Sequence, residues 1–354
     1  MDKEVFQGVT GVALATMTML GVAHAQNVPV TPTNVPGIKM VAPPPPGFDA
    51  VNASPAVRAL YAVPPAPDPA TAPKAYEHWK AAVSSPQNRK TPVLEPTNIS
   101  NGPARGIGSL VPQGTAAANV TTTSDNWSGT AYSNSSNPFT VEVIEGVFVV
   151  PTAHQAFDSC TGGWDYSFLW VGIDGWGSPD VLQAGTEADA YCSGSTTSSL
   201  YSAWIEWYPF NETRVSSPAI HPGDEVFVDV WSTSPTNGYA YFYNYSTLET
   251  ATYNLTPPSG TRLQGNSVEW IVERPGVNGS LATLTNYIDS SWPVGVAWNY
   301  TSGTPTYCWE GSSSSSACGT FLDITMLDNS GNGISAANIA NYDFLYFQNF
   351  GSAY

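Results

Sequence analysis

The chain has 354 residues, of which 28 are Asp or Glu and 11 are Lys or Arg, so its formal net charge is −17 at pH 7. A chain this acidic repels phosphate backbones, which argues against nucleic-acid binding. Hydrophobic residues make up 42% of the chain and supply a large core, while four cysteines are too few for a disulfide-stapled miniprotein. These values favour one large globular domain with accessory sequence.

The first 25 residues have the pattern of a secretory signal peptide. An apolar run over Val9–Val22 ends in Ala23-His24-Ala25, the small-x-small sequence that signal peptidase accepts. The run is too short to span a bilayer. Two acidic residues flank Lys3, which departs from the usual basic start, so an uncleaved anchor is the alternative. We expect a secreted, extracellular protein with no membrane association once residues 1–25 are removed.

Residues 26–112 differ from the rest in proline content and in charge. Eighteen of the 30 prolines lie in the first 112 residues, and residues 26–112 carry seven basic and four acidic side chains, net +3. Residues 113–354 carry three arginines against 22 acids, net −19. Because the signs are so cleanly separated, we interpret 26–112 as a basic propeptide lying on an acidic domain, with a solvated linker as the alternative. Proline lacks the amide proton of a ladder, so this segment should not build a sheet core.

The same charge split predicts how the propeptide would act. At neutral pH, attraction should hold the propeptide against the acidic domain, where it would act as an inhibitor by covering the domain's functional groove. As the pH falls through ~4, carboxylates protonate while Lys and Arg keep their charge, so this attraction should fade.

Short helical patterns around Ala56–Val63 and Lys74–Val83 interrupt the segment.

Residues 113–354 have the pattern of an all-β domain, with polar Gly, Ser, Asn and Pro clusters between strand-like runs. Many strands with polar turns favour a two-sheet sandwich or a barrel. The runs are Thr140–Val150, Tyr166–Asp174, Leu200–Tyr208, Glu225–Ser232, Gly238–Tyr245, Ser267–Arg274 and Tyr342–Phe350.

Strand parity places carboxyl and aromatic side chains together, because neighbouring residues point to opposite faces. The sets that share a face are Trp170 with Gly172 and Asp174, Trp204 with Glu206 and Tyr208, and Glu269 with Glu273. This pattern indicates a wet, aromatic-lined groove; the alternative is the ordinary solvent side of a half-exposed sheet. We interpret Glu273 as a solvated neighbour of Glu269.

The motifs of histidine and metal chemistry are missing from the sequence. In the domain only His154 and His221 are available, both in turn-like sequence, and neither Gly-x-Ser-x-Gly nor His-Glu-x-x-His occurs. We therefore expect no catalytic triad, no metal and no cofactor, with an irregular carboxylate-lined calcium site as the alternative. Carboxyl chemistry remains, and it suits acid, where a Glu near its own pKa can take and give protons.

The cysteines favour two local loops, Cys160 with Cys192 and Cys308 with Cys318, because nearby partners close the shortest loops. Four cysteines allow three connectivities, so the pairing stays open at this point.

Five motifs occur in the order and approximate spacing of the glutamic peptidases, the eqolisin family of scytalidoglutamic and aspergilloglutamic peptidase. They are Asn126-Trp127-Ser128-Gly129, Trp170-Val171-Gly172-Ile173-Asp174-Gly175, Val181-Leu182-Gln183-Ala184-Gly185, Ala203-Trp204-Ile205-Glu206-Trp207-Tyr208-Pro209 and Val268-Glu269-Trp270-Ile271-Val272-Glu273. The sequence resembles that family over about residues 124–350. It departs from the family in its cysteines and in Thr186–Ser199, a longer, Ser/Thr-rich stretch.

The resemblance implies a concanavalin-like sandwich of two bent antiparallel sheets, with substrate lying across the concave face. It implies a monomeric, acid-active endopeptidase for polypeptide substrates with the catalytic pair Gln183 and Glu269. Glu269 would activate a water and protonate the leaving amine, and the neutral Gln183 amide would donate to the oxyanion. Whether Glu269 acts first as base or as acid stays open. The substrate-binding residues it implies are Trp127, Trp170, Asp174, Trp204, Glu206 and Tyr208.

Two other functional classes stay as alternatives. A jelly-roll glycoside hydrolase would use Glu206 and Glu269 as its two carboxyls and the tryptophans as sugar platforms, but it leaves Gln183 without a role. A non-catalytic, lectin-like module would bind without turnover.

Overall fold

Two stacked β-sheets dominate the structure. The computed structural model describes residues 28–84, 88–108, 111–112, 119–134, 142–156, 160, 162–287, 290–299, 305–311, 318–341 and 344–350. The expected signal peptide lies outside these ranges, and so do residues 113–118, at the expected boundary between propeptide and domain.

The N-terminal segment, residues 28–112, contains short strands and two helices. The strands are β1 (Val30–Pro32), β2 (Ile38–Val41), β3 (Leu94–Pro96), β4 (Ile99–Ser100) and β5 (Val111–Pro112), and the helices are α1 (Pro55–Ala59) and α2 (Pro73–Ser84). The helical patterns read from the sequence are therefore confirmed, with α1 beginning at a proline after the N-cap Ser54.

Within the described ranges, the named elements of the domain are all β-strands, joined by turns and loops. Its first half holds β6 (Asn119–Ser124), β7 (Trp127–Ser133), β8 (Val143–Val149), β9 (Ala153–His154), β10 (Gly163–Asp165), β11 (Phe168–Ile173), β12 (Val181–Ser193), β13 (Thr196–Tyr208), β14 (Thr213–Val215), β15 (Glu225–Ser234) and β16 (Asn237–Asn244). Its second half holds β17 (Thr250–Leu255), β18 (Ser267–Glu273), β19 (Gly276–Val277), β20 (Ser280–Leu281), β21 (Asn286–Tyr287), β22 (Ser290–Trp292), β23 (Val294–Trp298), β24 (Tyr307–Trp309), β25 (Thr320–Leu327), β26 (Gly333–Asn341) and β27 (Phe344–Asn349).

These strands form an eight-stranded and a fourteen-stranded sheet. The smaller has the order β1-β2-β17-β16-β15-β8-β23-β24. The main path of the larger is β22-β27-β26-β25-β7-β18-β11-β12-β13-β14-β3. Among the described strand ladders, pairing is antiparallel except between β6 and β25. The predicted all-β sandwich of two antiparallel sheets is confirmed.

The main hydrophobic core lies between the two sheets. Val228 and Phe242 of the smaller sheet belong to the same buried cluster as Leu169, Leu182 and Trp270 of the larger. Alternation along each strand sends these side chains inward and their neighbours outward. Each sheet therefore keeps an outer face, on the side away from this core, and both outer faces matter below.

The proline-rich segment pairs only at sheet edges and between short strands. Strands β1 and β2 extend the smaller sheet beyond β17, and β3 extends the larger one beyond β14. This agrees with the expectation that proline excludes the segment from a sheet core. The segment is nevertheless packed on the domain, because Trp79 of α2 is fully buried.

A long hairpin occupies the stretch in which the sequence departs from the family pattern. Strands β12 and β13 pair along their whole length, from Val181 with Tyr208 to Ser193 with Thr196, so most of Thr186–Ser199 is strand. The Cys160–Cys192 disulfide fastens the far end of β12, and Cys308–Cys318 closes a second local loop. Both predicted pairings are confirmed. In the described ranges no helix has the length and apolar character needed to span a bilayer.

The inter-sheet core predicts the effect of a large-to-small substitution. Phe242→Ala removes a fully buried ring, so we expect the free energy of unfolding to fall by about 3–5 kcal/mol. Ile339→Ala, at a side chain 39% exposed in the same domain, is the matched control and should cost at most about 0.5 kcal/mol. Urea unfolding measures both, and equal losses would contradict this placement of the core.

Candidate active site

Three neighbouring strands place Gln183 and Glu269 on either side of one glycine. Gly172 of β11 is the register partner of Gln183 on β12 and of Glu269 on β18. Paired residues share a face, so both side chains stand on the outer face of the larger sheet. A Cβ on Gly172 would lie 2.9 Å from the Trp170 ring and 3.2 Å from the Cβ of Gln183. The glycine therefore leaves room for the Trp170 ring beside the two side chains.

The polar atoms of this pair are buried, and several of them have no hydrogen-bond partner in the described part of the chain. Gln183 and Glu269 are fully buried, and Gln183 Oε1 and both carboxyl oxygens of Glu269 have no hydrogen-bond partner among the described residues. Burial raises the pKa of Glu269 well above its usual value, the Ser267 hydroxyl opposes this, and the Asp174 carboxyl adds to it. A carboxyl with a raised pKa beside a neutral amide is suited to proton transfer and oxyanion stabilisation.

Residues 94–108, which we call the strap, run across this outer face. The Gln183 side-chain amide donates a short hydrogen bond to the backbone carbonyl oxygen of Asn101. The backbone N–H and side-chain Nδ2 of Asn101 both donate to Glu206 Oε2, at 3.0 and 3.2 Å. The next residue, Gly102, lies against the Tyr208 ring. A peptide carbonyl of the chain itself therefore occupies the position next to Gln183.

Glu206 lies in the same register row as Gln183, on the next strand. Burial raises its pKa well above the usual range, the Asn101 hydrogen bonds partly compensate, and the charges of Glu273 and Glu212 raise it further. The Asn101 contacts make Glu206 Oε2 a hydrogen-bond acceptor on the wall of the groove.

Glu273 is not the solvated neighbour that the sequence suggested. It is fully buried, and its carboxylate accepts hydrogen bonds from Asn126 Nδ2 and from Trp170 Nε1, both at 3.0 Å. Asn126 also contacts the strap, since its side chain donates to the Pro103 carbonyl and accepts from the Arg105 N–H. Glu273 is buried because the strap covers this face of the sheet; on an uncovered sheet it would be exposed.

Asp174 lies outside the row, immediately after β11, with a left-handed backbone (φ 69°). Its buried carboxylate accepts from the backbone N–H groups of Gln264, Gly265 and Asn266, at 2.6, 3.0 and 2.8 Å. These residues directly precede β18, so Asp174 holds the start of the strand that carries Glu269. Its contacts are those of a positioning residue.

The aromatic residues named from the sequence lie on the outer face beside the pair. Trp127 and Trp170 meet edge to face, with ring centroids 5.0 Å apart, and Trp204 packs against Phe168 at 5.4 Å. Trp127, Trp170 and Trp204 share one cluster with Ile99 of the strap. The sequence-predicted residues thus come together on one face.

A buried cluster of acids lies next to this face and was missed in the sequence. Glu187 Oε1 and Oε2 accept from Arg214 Nε and Nη2, at 2.5 and 2.9 Å. Arg214 also lies 3.8 Å from both Asp189 Oδ2 and Glu212 Oε1. Parity along β12 would have placed Glu187 on the face of Gln183 if Thr186–Ser199 had been recognised as strand.

One arginine cannot neutralise three buried acids in this cluster. Burial raises the pKa of Asp189 well above its usual value, and the neighbouring Glu187 charge adds to it. Burial and the Glu187 charge likewise raise the pKa of Glu212. Folding therefore favours the protonated forms of Asp189 and Glu212 relative to the unfolded chain.

We also looked at possible metal ligands and at the histidines of the domain. No group of three or more His, Cys, Asp or Glu side chains placed to hold a metal ion occurs in the part of the chain that the structure describes. His221 is largely exposed and contacts Asp224, at 3.3 Å.

Comparison with known proteins places this arrangement in context. Residues 125–329, more than half of the chain, match the model of the Peptidase A4 family. Aspergillopepsin-2 of Aspergillus niger is 30% identical over 159 residues, which are 41% of this chain and 55% of that protein. The chain thus spans about half the length of this curated relative.

One solved structure supports the same fold, and a second is reported beside it. The scytalido-glutamic peptidase bound to a transition state analog inhibitor aligns with a TM-score of 0.50 and 20% identity, over 64% of this chain and 98% of that one. The aspergilloglutamic peptidase from Aspergillus niger aligns with a TM-score of 0.42 and 25% identity, over 52% and 99%.

The acid cluster predicts how stability depends on pH. Because the pKa of Asp189 is raised in the folded state, its stabilising proton is fully bound below the unfolded pKa of ~4 and is lost as the pH rises through the folded value. Asp189→Asn needs no proton, so its unfolding free energy should vary less between about pH 4 and 8, by up to ~1.4 kcal/mol per pH unit. Urea unfolding across this range tests it against Glu77→Gln, an exposed control. Parallel pH curves for the wild type and Asp189→Asn would refute the assignment.

Proposed function

We propose that this chain, which belongs to the Peptidase A4 family of glutamic peptidases, is an acid-active endopeptidase that uses Gln183 and Glu269 on peptide bonds. The observation that carries the proposal is the contact between the Gln183 amide and a peptide carbonyl, on the same face as the unpartnered carboxyl of Glu269. A substrate carbonyl in the place of the Asn101 carbonyl would meet the same donor.

The proposed reaction needs only these two side chains and water. Glu269 takes a proton from a water whose oxygen attacks the peptide carbonyl carbon, and the Gln183 N–H donates to the developing oxyanion. Protonated Glu269 then gives that proton to the leaving nitrogen as the C–N bond breaks, which yields a carboxylic acid and an amine. The raised pKa of Glu269 belongs to the groove covered by the strap. Once the strap has left and water enters, the carboxyl returns toward its ordinary pKa of ~4, near which it can both take and give a proton in acid.

The register argues against the glycoside hydrolase alternative. Glu206 and Glu269 are separated by Gln183 and Gly172 in one row, three strand spacings apart. Three spacings of about 4.8 Å put their backbones about 14 Å apart. Paired glycosidase carboxyls lie about 5–9.5 Å apart. The row therefore favours the Gln183–Glu269 pair, whose backbones lie two spacings apart on either side of a glycine.

We also propose that the strap inhibits the enzyme by occupying the groove as a substrate would. Asn101 is fully buried there, and its carbonyl and amide groups engage Gln183 and Glu206. This supports the interpretation of residues 26–112 as a propeptide, with the inhibitory contact assigned to residues 94–108.

Charge attraction between the basic segment and the acidic domain stays a proposed contribution to this inhibition. Lys90 forms an ion pair with Glu249 of the domain, but Lys80 pairs with Glu77 of its own helix. Covering Glu206 and Glu269 raises their pKa, so by linkage the covered state is favoured in acid and weakened as the pH rises. This linkage opposes the release in acid that a fading charge attraction would favour, and we propose that the strap leaves by being cut.

The catalytic pair gives a direct test. Glu269→Gln and Gln183→Ala should fold normally and lose at least about two to three orders of magnitude in kcat/KM, the scale of a lost general base or oxyanion donor. Cleavage of a denatured protein near about pH 3.5 measures this, with Glu225→Gln on the other sheet as the matched control. Full proteolysis by Glu269→Gln, or sugar release from xylan or glucan in its place, would sink the proposal.

The strap contact gives a second test, which does not require activity. In a Glu269→Gln background, Asn101→Asp removes the amide donor to Glu206 and adds a like charge beside it. A buried hydrogen bond to a charged group contributes about 1.5–3 kcal/mol, so trypsin should cut after Arg105 about tenfold faster or more. The control is Asn98→Asp, since Asn98 is exposed in the same strap. Equal cutting rates in the two variants would contradict the substrate-like contact.

A further inference from the structure

The outer face of the smaller sheet carries two buried carboxyls that the proposed reaction does not use. Glu145 of β8 and Asp229 of β15 are register partners. Both are fully buried, and all four carboxyl oxygens lack a hydrogen-bond partner among the described residues. Partners of this kind have Cβ atoms about 4.5–5.5 Å apart. Two unpaired acids side by side are costly to bury as carboxylates.

The N-terminal segment shares this face. Val143, Val147, Phe227 and Trp231, the neighbours of the two acids at two residues' distance along their strands, belong to the same buried cluster as Trp79 of α2. Ala72, Ala75 and Ala82 of the segment are members too, each with no exposed surface. Without residues 28–84, this aromatic face of the sheet would lie open to water.

Polar contacts from the segment go to tyrosines around the acids. The Tyr241 hydroxyl donates to the Ala82 carbonyl, and the Tyr245 hydroxyl donates to the His78 carbonyl, both at 3.0 Å. The Tyr307 hydroxyl accepts from the Asp68 N–H at 2.7 Å. These bonds connect the segment to β16, to the turn that follows β16 and to β24.

The basic side chains around this face have contacts with other groups. Arg58 lies 5.1 Å over the Trp79 ring, Lys80 pairs with Glu77, and Arg89 lies near Tyr241. His78 is near Glu225 and Lys74. Burial raises the pKa of Asp229 and of Glu145, and the Asp229 charge raises that of Glu145 further. Burial lowers the pKa of His78, so it supplies no charge at neutral pH.

We propose that residues 28–84 are a lasting part of the sandwich, which stays bound on the outer face of the smaller sheet after the strap has left the groove. Both halves of the segment add a strand to a sheet edge, but they dock differently. The strap contributes buried Ile99 beside its polar contacts, whereas residues 28–84 bury a whole apolar face around Trp79. Acid strengthens this docking, because the covered acids hold protons that the uncovered acids release above ~4. The inference concerns binding and stands apart from the reaction at the groove.

Hydrogen exchange on the full-length Glu269→Gln chain, which should not cut itself, tests this. Protection factors of the α2 amides should be high at about pH 4 and fall as the pH rises through the covered-state pKa, by up to about tenfold per unit for each carboxyl. In the same chain carrying Glu145→Gln and Asp229→Asn, which are neutral and nearly isosteric, protection should be nearly independent of pH. A flat profile in the parent chain, or an unchanged slope in the triple variant, would overturn the role of these acids.

Brief nicking of the same Glu269→Gln chain with trypsin at exposed Lys90 and Arg105 tests retention without relying on its own activity. After adjustment to about pH 4, the fragment that contains residues 28–84 should co-elute with the domain on size exclusion. Elution of that fragment apart from a domain with an unchanged Tm would refute the proposal. Failure of the peptidase activity alone would leave both measurements interpretable.

Discussion

The pairing of β11 between β12 and β18 is the constraint on which the candidate site depends. It sets Gln183 and Glu269 on either side of Gly172. A slip of one residue would turn Gln183 into the core and bring Leu182 out, because side chains alternate between faces. Leu182 and Trp270 are buried in the inter-sheet core, so apolar packing on one face fixes the polar geometry on the other. A methyl group at Gly172 would press on the Trp170 ring, which would have to shift.

Buried acids recur on both outer faces, and the charge of the chain explains how this is tolerated. Each of Glu145, Asp189, Glu206, Asp229 and Glu269 has a pKa raised by burial. At neutral pH, a buried carboxyl must either take up a proton or lose the hydration of its charge, and both cost free energy. In acid it is already neutral, so this cost is absent. A domain with three arginines against 22 acids cannot pair its carboxyls, so it gains stability by protonating them.

The strands and the faces of their side chains could be predicted from the sequence more fully than the contacts within the candidate site. Alternation placed Trp170 and Gly172 on one face because a strand has a fixed period of two, whatever it packs against. Thr186–Ser199 was harder, because Ser and Thr are common both in turns and on exposed strands. The burial of Glu273 and the contact from Gln183 to Asn101 escaped prediction, since the strap lies 82 residues away in sequence from Gln183. Local patterns do not specify such distant contacts.

The composition of the N-terminal segment suits the two kinds of docking that it shows. Proline restricts it to edges and short strands, so it adds to both sheets without becoming part of their central ladders. Where the segment meets the groove it presents Asn101, Gly102 and Pro103, whose backbone carbonyl and amide groups are exposed to polar partners. Where it meets the smaller sheet it presents Trp79 and small alanines that fill an apolar face. A polar contact is exchanged readily for a substrate or for water, but a buried tryptophan has no such replacement, so the two halves of the segment should leave the domain under different conditions.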